Sequence, residues 1–220
     1  MYKFNTMKTL NPVIIFGASG LGKAAFDIFQ SNDVVIYGFL DDNKSLHHTE
    51  IGDISVLGET DNDGFLKLIG QKCDAFVAID NNKERESIVN MLIEKRKVMP
   101  VNAIHSTATI STVAVLGHGN YIGADTVINS FAEVGNHCII NAQSLIEYEA
   151  KLGDFVQIGA GSKVGPGALL ENGVFLGVGV VVVPGVTIGK NARIGAGSVV
   201  IADVKAGKTL FGNPAKEIER

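Results

Sequence analysis

A glycine-rich turn near the start of the chain could bind phosphate. Gly17, Gly20 and Gly22 follow the apolar run VIIF (13–16) and lead into GKAAFDIFQ (22–30), which has helical periodicity. The free N–H groups and the positive dipole end at the start of a helix attract a diphosphate. The spacing G-x-x-G-x-G is not the dinucleotide fingerprint G-x-G-x-x-G, so it supports NAD binding only weakly. The alternative is a purely structural strand-to-helix turn.

Two consecutive carboxylates could complete a nucleotide site with this turn. Asp41 and Asp42 close the apolar run VVIYGFL (34–40), about 20 residues after the turn. In nucleotide-binding α/β domains, a carboxylate at this place accepts hydrogen bonds from ribose or base. The pair is therefore a candidate for nucleotide recognition.

Strand-like and helical patterns alternate up to about residue 99. VIIF, VVIYGFL and DAFVAI (74–79) are apolar and β-branched, as strands covered on both faces of a parallel sheet are. DGFLKLIG (63–70) and ERESIVNMLIEKRK (84–97) carry apolar residues at helical spacing, as GKAAFDIFQ does. The alternation predicts a small Rossmann-like α/β domain over residues 8–100, too short for a full dinucleotide-binding fold.

A different period begins at Ile104. Every sixth residue from Ile104 to Val200 is Ile, Leu or Val, without an insertion, and a smaller side chain follows four positions later in nearly every case. This period is the signature of a parallel β-helix with three hexads in each coil. With strands about 4.8 Å apart, five to six coils make a prism roughly 25–30 Å long. The prediction is a β-helix over 101–208 and a C-terminal tail over 209–220.

The two halves together resemble a known family. The hexads of the form aliphatic-Gly-x4, the turn GASG (17–20) and the closing segment LFGNPAKEI (210–218) are similar to bacterial nucleotide-sugar acetyltransferases of the sialic-acid O-acetyltransferase type. That family includes the N-acetyltransferases that modify UDP-4-amino-sugars for surface glycan synthesis. The resemblance covers nearly the whole chain. It implies a left-handed β-helix, acetyl-CoA as the acetyl donor, a nucleotide-sugar substrate and a homotrimer.

The resemblance also implies which residues contact the nucleotide. In the family the turn and the carboxylates hold the nucleotide of the sugar substrate, a role that passes by match to Ser19, Gly20, Leu21, Asp41 and Asp42.

Asp80 departs from the family pattern close to that nucleotide. The segment AIDNNKERE (78–86) has Asp80 where the family usually has glycine before the asparagine pair. A carboxylate there repels a diphosphate by several tenths to a few kcal/mol, depending on exposure. Asp80 is therefore a predicted substrate contact that leaves the identity of the substrate open.

Tyr148 and Glu149 occupy the hexad that carries catalysis in the family. Acetyl transfer needs a base for the acceptor amine or hydroxyl, and histidine suits this with a pKa of about 6.5. The family pattern is aliphatic-Glu-His-Asp/Glu, whereas this chain reads IEYEAKLGDFVQIGAG (146–161), with Tyr148 for the histidine and Glu149 in the acidic place. A second family histidine, expected to touch the thioester or the coenzyme, is Gln157 here.

Three alternatives follow, because a phenol with a pKa near 10 is a poor base. In the first, Glu149 is the base, and burial in a groove between subunits raises its pKa. In the second, His118 or His137 supplies the base, although a solvated turn histidine is the simpler interpretation of both. In the third, the chain is an impaired homologue that binds acetyl-CoA or nucleotide-sugar without turnover.

The coenzyme is expected in a groove between neighbouring subunits. Family contacts there are mostly to backbone, and the matching positions are Gln157, Gly159, Gly177, Val178, Gly195 and Ala196. The segment LGVGVVVVPGVTIG (176–189) must also turn some of its valines outward, and an exposed apolar strip marks an interface.

Composition argues against several other functions. The net charge is −4 and no Lys/Arg cluster occurs, which argues against a nucleic-acid partner. Cys73 and Cys138 lie in apolar settings and are expected to be structural thiols. His47, His48 and His105 lack the spacing of a zinc or iron site, so no metal is expected. The sequence suggests neither a signal peptide nor a membrane span, and a cytoplasmic location is expected.

Overall fold

A computed structural model describes residues 11–218. Residues 1–10 and 219–220, which include the outer ends of the predicted domain 8–100 and tail 209–220, lie outside the described part. The chain folds into a Rossmann-like α/β domain followed by a left-handed parallel β-helix, the predicted fold class.

From residue 11 onward, the N-terminal domain contains five strands and three α-helices, besides a short 3₁₀ helix at Lys44–Leu46. They are β1 (Val13–Phe16), α1 (Gly20–Ser31), β2 (Ile36–Leu40), β3 (Glu50–Ile51), β4 (Ile54–Gly58), α2 (Asp63–Leu66), β5 (Asp74–Val77) and α3 (Asn82–Arg96). The sheet order is β3-β4-β2-β1-β5, parallel except for the β3–β4 pair. All four residues of β1 are buried, as the apolar run predicts for a central parallel strand.

Three details differ from the sequence prediction. The β3–β4 hairpin was not predicted, because it contains only short runs around the turn at Gly52. The helix expected over 63–70 ends at Leu66, since Leu68 and Ile69 donate to carbonyls three residues back and Gly70 turns with a φ of 76°. Helix α3 starts two residues earlier than expected, at the Asn81 cap, whose side chain accepts from the N–H of Lys83 and Glu84.

Two-residue strands, one in each hexad, build the β-helix. They are β6 (Ala103–Ile104), β7 (Thr109–Ile110), β8 (Val115–Leu116), β9 (Tyr121–Ile122), β10 (Val127–Ile128), β11 (Glu133–Val134), β12 (Ile139–Ile140), β13 (Leu145–Ile146), β14 (Lys151–Leu152), β15 (Gln157–Ile158), β16 (Lys163–Val164), β17 (Leu169–Leu170), β18 (Phe175–Leu176), β19 (Val181–Val182), β20 (Thr187–Ile188), β21 (Arg193–Ile194) and β22 (Val199–Val200). The chain ends in β23 (Thr209–Phe211) and the antiparallel β24 (Lys216–Glu217).

Three sheets form the sides of the prism. The first sheet has the order β22-β19-β16-β13-β10-β7, the second β20-β17-β14-β11-β8, and the third β24-β23-β21-β18-β15-β12-β9-β6. Strands three hexads apart pair in register, for example Ile128 with Ile146. The predicted aliphatic positions fill the interior, but Ile104, Ile110 and Leu116 are only partly buried because no coil covers that end of the prism.

The turns between the sheets form three edges, which position the candidate site. The Tyr148 edge (147–150 and the equivalent turns of other coils) joins the first sheet to the second. The Phe155 edge (153–156 and equivalents) joins the second to the third, and the Gly177 edge (159–162 and equivalents, including 177–180) joins the third to the first.

The N-terminal domain packs on the outer face of the third sheet. Ala103 and Ile139 belong to its hydrophobic core, and the Asn32 side-chain amide donates to the carbonyl of Ile104 at 2.8 Å. The Phe155 edge therefore lies next to the start of α3.

Candidate active site

The glycine-rich turn leaves an open helix start. Helix α1 begins at Gly20, and its N-cap, Ser19, makes no side-chain capping hydrogen bond. A Cβ on Gly17 would lie 2.5 Å from the carbonyl oxygen of Ala78, and one on Gly22 would overlap the carbonyl of Gly17. Those two glycines are therefore required by packing alone. A Cβ on Gly20 would have nothing within 4 Å, so Gly20 borders free space at the helix start.

The turn and both carboxylates line one small cavity of about 160 Å³. Its lining residues are Gly17, Ser19, Asp41, Asp42, Thr60, Ile79 and Glu84. The other two predicted nucleotide contacts of the turn, Gly20 and Leu21, do not line this cavity, and Leu21 is buried in the core of the domain. The structure thus brings Ser19, Asp41 and Asp42 together around one cavity.

The side chains of Asp41 and Asp42 also make hydrogen bonds within the fold. Asp41 accepts from the backbone N–H of Ala18 at 2.7 Å and of Asn43 at 2.8 Å. One oxygen of Asp42 accepts from both the N–H and the hydroxyl of Thr60, each at 2.8 Å. Each carboxylate oxygen has two acceptor sites, so both groups keep capacity for a ligand while the chain fixes their orientation.

A larger cleft of about 1050 Å³ lies between the two domains. Its walls come from the start of α3, the Phe155 edge and the third sheet, and the lining residues are Asp80, Asn81, Asn82, Lys83, Glu86, Asp154, Phe155, Gln157, Asn172, Gly173, Lys190, Asn191 and Arg193. Within it, the side-chain amide of Gln157 donates to the carbonyl oxygen of Asp80. The two positions at which the sequence departs from the family pattern near the ligands are therefore in direct contact.

Consecutive residues of the chain line this cleft and the smaller cavity. Ile79 lines the small cavity and the next residue, Asp80, lines the cleft. The segment after β5 therefore links the predicted nucleotide residues to Gln157 on β15.

Tyr148 and Glu149 lie elsewhere, on the Tyr148 edge. Both side chains are exposed, Tyr148 to 51%, and Glu149 has a left-handed backbone with a φ of 59°. The neighbouring Glu147 is half-buried and accepts from the side-chain amide of Asn129 at 3.1 Å. Neither Tyr148 nor Glu149 lines the cleft that contains Gln157. Within one chain, the predicted base and the predicted coenzyme contacts do not meet.

The predicted coenzyme positions stack along the Gly177 edge. Gly159, Gly177 and Gly195 lie at equivalent places in successive coils, and a Cβ on any of them would overlap the coil above or Phe211. Close stacking therefore explains these glycines without a ligand. Val178 and Ala196 are exposed beside them, Val178 to 61%. The edge consequently presents backbone groups and small apolar side chains.

The two alternative histidines have different surroundings. His118 is exposed, as expected for a turn histidine. The same expectation is wrong for His137, which is 4% exposed and packs against the ring of Phe155 with centroids 5.1 Å apart. Burial, and then the charge of Arg85, lower the pKa of His137 to about 4, with Asp154 opposing and His118 adding to the decrease. His137 is neutral at pH 7 and enclosed by protein, which argues against its acting as the base.

His137 is expected to make the fold sensitive to acid. Because its pKa is about 4 in the folded chain and near 6.5 when unfolded, the unfolded chain binds an extra proton between these values. Its contribution is complete above pH 6.5 and is lost as the pH falls towards 4. Between pH 7.5 and pH 5.0, wild type should lose about 2 kcal/mol more unfolding free energy than His137→Asn. Asparagine tolerates the left-handed backbone at this position.

Urea unfolding at both pH values, at one protein concentration, measures this difference. His48→Asn is the matched control, because that histidine is exposed, has the same left-handed backbone and is not among the charges that act on His137, so its replacement should leave the acid sensitivity unchanged. Equal losses in wild type and His137→Asn would contradict the prediction.

Sequence reasoning missed Arg85, which connects the cleft to both domains. Its side chain is 1% exposed, and burial lowers its pKa to about 10, so it is still charged at pH 7. In the sequence, Arg85 is one of many charged residues in the helical segment ERESIVNMLIEKRK, a pattern that by itself predicts an exposed side chain.

Residues 11–218 contain no group of His, Cys, Asp or Glu side chains arranged to hold a metal ion. Across the same part of the chain, none of the helices is both long and apolar enough to cross a membrane. Cys73 and Cys138 are buried free thiols, and burial raises the pKa of Cys138 to about 12.

Comparison with protein-family models assigns both halves of the chain. Residues 12–92 match the PglD N-terminal domain, and residues 167–202 match the bacterial transferase hexapeptide repeats. The family resemblance is confirmed in both domains. A search of curated proteins found no significant match.

Solved structures of the family have the same architecture over nearly the whole chain. A histidine-to-alanine mutant of GDP-perosamine N-acetyltransferase from Caulobacter crescentus, in complex with CoA and GDP-perosamine, is 28% identical with a TM-score of 0.87, covering 95% of this chain and 97% of that chain. WeeI from Acinetobacter baumannii AYE is 26% identical with a TM-score of 0.83, covering 94% and 99%. The acetyltransferase domain of PglB from Neisseria gonorrhoeae, in complex with acetyl coenzyme A, is 24% identical with a TM-score of 0.85, covering 95% and 100%, and supports the fold alone.

Proposed function

We propose that the protein transfers an acetyl group from acetyl-CoA to the amino group of a nucleotide-linked sugar, for glycan biosynthesis. The observation that carries the proposal is the contact between Gln157 and the carbonyl of Asp80, which ties the third sheet to the segment after β5. In that segment Ile79 lines the cavity of the predicted nucleotide residues and Asp80 lines the larger cleft. The similarity to an N-acetyltransferase solved with CoA and GDP-perosamine supports the same pair of ligands. The donor and acceptor are both cytoplasmic metabolites, which fits a cytoplasmic location.

The Gly177 edge suits the pantetheine arm of the donor. A slender, amide-containing chain needs backbone partners and apolar contacts, and Gly177, Val178 and Ala196 offer both without bulky side chains. Gln157 lies on the third sheet just before this edge and faces the cleft. The donor would therefore reach the cleft from the Gly177 edge, while the nucleotide of the acceptor sits at the helix start near Ser19 and Gly20.

In the proposed reaction, the acceptor nitrogen attacks the thioester carbonyl carbon, a C–N bond forms and the C–S bond breaks. The proton lost by the amine goes to a carboxylate and then to the leaving thiolate, so the products are an amide and free CoA. The phenol hydroxyl of Tyr148 can donate a hydrogen bond to the reacting groups in this proposal. Glu149 is the base in this proposal.

The proposed site requires a second copy of the chain. Tyr148 and Glu149 project from the Tyr148 edge, whereas the cleft and the coenzyme positions lie on the third sheet and its two edges. The Tyr148 edge and the cleft therefore lie on different sides of the prism formed by one chain. A ring in which the Tyr148 edge of each copy faces the next copy's cleft completes every site, and such head-to-tail contacts close into symmetric rings.

An apolar strip along the Tyr148 edge supports this contact. Val113, Phe131 and Tyr148 are exposed to 46%, 62% and 51%, and Val115 and Leu169 are exposed on the second sheet beside them. Exposed apolar strips of this kind mark interfaces. Trimers are the assembly that the family resemblance implies, so the proposal is a homotrimer.

Two measurements test the proposed function. Light scattering at micromolar concentration should give about three times 23.2 kDa, and a monomer would refute the shared site. A panel of nucleotide-linked amino sugars, each incubated with acetyl-CoA, should yield free thiol with at least one acceptor. Binding of both ligands without thiol release across the panel would refute acetyl transfer.

A further inference from the structure

Arg85 is a buried charge without a carboxylate partner. It is 1% exposed, and the ion pairs found within residues 11–218 do not include it. Burying a cation costs free energy unless strong hydrogen bonds replace its hydration. An arginine kept in this position therefore needs a compensating set of acceptors.

The acceptors come from both domains. The guanidinium donates to the carbonyls of Ile79 at 2.6 Å and Asp80 at 3.1 Å and to the side chain of Asn82, all in the N-terminal domain. It also donates to the carbonyl of His137 at 3.1 Å, in the β-helix, and lies 5.6 Å from the ring centroid of Phe155. Arg85 consequently fixes the segment after β5 against the Phe155 edge.

One of these carbonyls is shared with Gln157. The oxygen of Asp80 accepts from Arg85 and from the side-chain amide nitrogen of Gln157. A carbonyl oxygen has two lone pairs, so these donors fill it. Because a carbonyl only accepts, Gln157 must direct its nitrogen to Asp80, which leaves its own oxygen and one N–H for a ligand in the cleft.

We propose that Arg85 is a positioning residue that sets the orientation of the Gln157 amide, and through it the hydrogen-bonding pattern that the cleft offers to CoA. The inference rests on the proposed function, because it takes CoA as the ligand that Gln157 contacts. Arg85 itself is enclosed by protein, and the proposed effect on the ligand passes through the carbonyl of Asp80 that it shares with Gln157. Its effect on binding must therefore disappear when the Gln157 side chain is removed.

A double-mutant cycle with CoA binding, measured by calorimetry, tests this dependence. Arg85→Lys keeps the charge but cannot reproduce the set of contacts, and it should weaken CoA binding about fivefold to tenfold, within the range of coupled neighbours. In a Gln157→Ala background the same change should alter affinity by less than about twofold. An equal loss in both backgrounds would overturn the inference, since a structural role would act irrespective of Gln157.

Arg96→Lys is the matched control on the same helix. Arg96 also donates to backbone carbonyls, those of Lys67 and Ile69, but only within the N-terminal domain. It should lower the unfolding temperature without changing CoA affinity. If Arg85→Lys does not fold, Asn82→Ala removes one acceptor of the guanidinium and should give a smaller loss with the same dependence on Gln157.

The outcomes separate this inference from the proposed function. Wild type that binds no CoA at millimolar concentration would refute the proposed function and the inference with it. Wild type that binds CoA, together with unchanged affinity in Arg85→Lys or in the folded substitute Asn82→Ala, would refute the inference alone.

Discussion

Replacing Tyr148 by histidine is expected to raise the rate of acetyl transfer by about 10²-fold or more. General-base catalysis contributes roughly 10²–10⁴-fold when the base has a pKa near the working pH, and imidazole meets this condition whereas a phenol does not. Tyr148 is exposed on its edge, so the smaller ring is accommodated without repacking of the core. Glu149, the next residue, can pair with the imidazolium and raise its basicity.

Thiol release measured from pH 6 to pH 9 tests this expectation. The rate of Tyr148→His should rise with pH through the imidazole pKa, near 6.5 in the absence of a perturbing neighbour. Tyr148→Phe is the matched control, because it keeps the ring and removes only the hydroxyl. A changed pH profile without a gain in rate would contradict the prediction and leave Glu149 as the sufficient base, in which case Glu149→Gln abolishes activity.

The β-helix was predictable because its period is a direct physical requirement. Each coil must place one aliphatic side chain inward from every side of the prism. The six-residue repeat from Ile104 to Val200 can therefore be recognised in the sequence without knowing which strands pair. The β3–β4 hairpin has no such repeat. The hairpin is held in place because β4 pairs with β2 of the central sheet, and a short stretch of sequence does not reveal this long-range pairing.

The candidate site was predictable only in part. Motif spacing identified the turn at Gly17–Gly22 and the carboxylates Asp41 and Asp42, which line one cavity with Ser19. Arg85 and His137 were missed or misjudged because their burial depends on contact between two domains. Their local sequences are polar and resemble exposed positions. Packing between the two domains decides that these polar side chains are buried, and a single sequence carries no pattern for it.

Mixing two inactive variants is expected to restore acetyl transfer to about one quarter of the wild-type rate. The first variant, Tyr148→Phe with Glu149→Gln, inactivates the Tyr148 edge. The second, Gly20→Glu, places a carboxylate at the helix start that should bind diphosphate, and the space around the Gly20 Cβ admits it. In the proposed trimer, each site takes its Tyr148 edge from one copy and its cleft from the next. When the two variants mix randomly in equal amounts, half of the Tyr148 edges and half of the clefts are intact. About one quarter of the sites therefore combine an intact edge with an intact cleft.

Co-expression of the two variants, with a different affinity tag on each, provides the mixed trimers for a thiol-release assay. The control is a mixture of separately assembled homotrimers, in which no site receives both intact halves and the rate must remain at background. Gly20→Ala is the matched variant for the nucleotide half, because it fills the same space without a charge and should retain activity. Background rates in mixed trimers that still bind CoA would place the whole site within one chain and refute the shared arrangement.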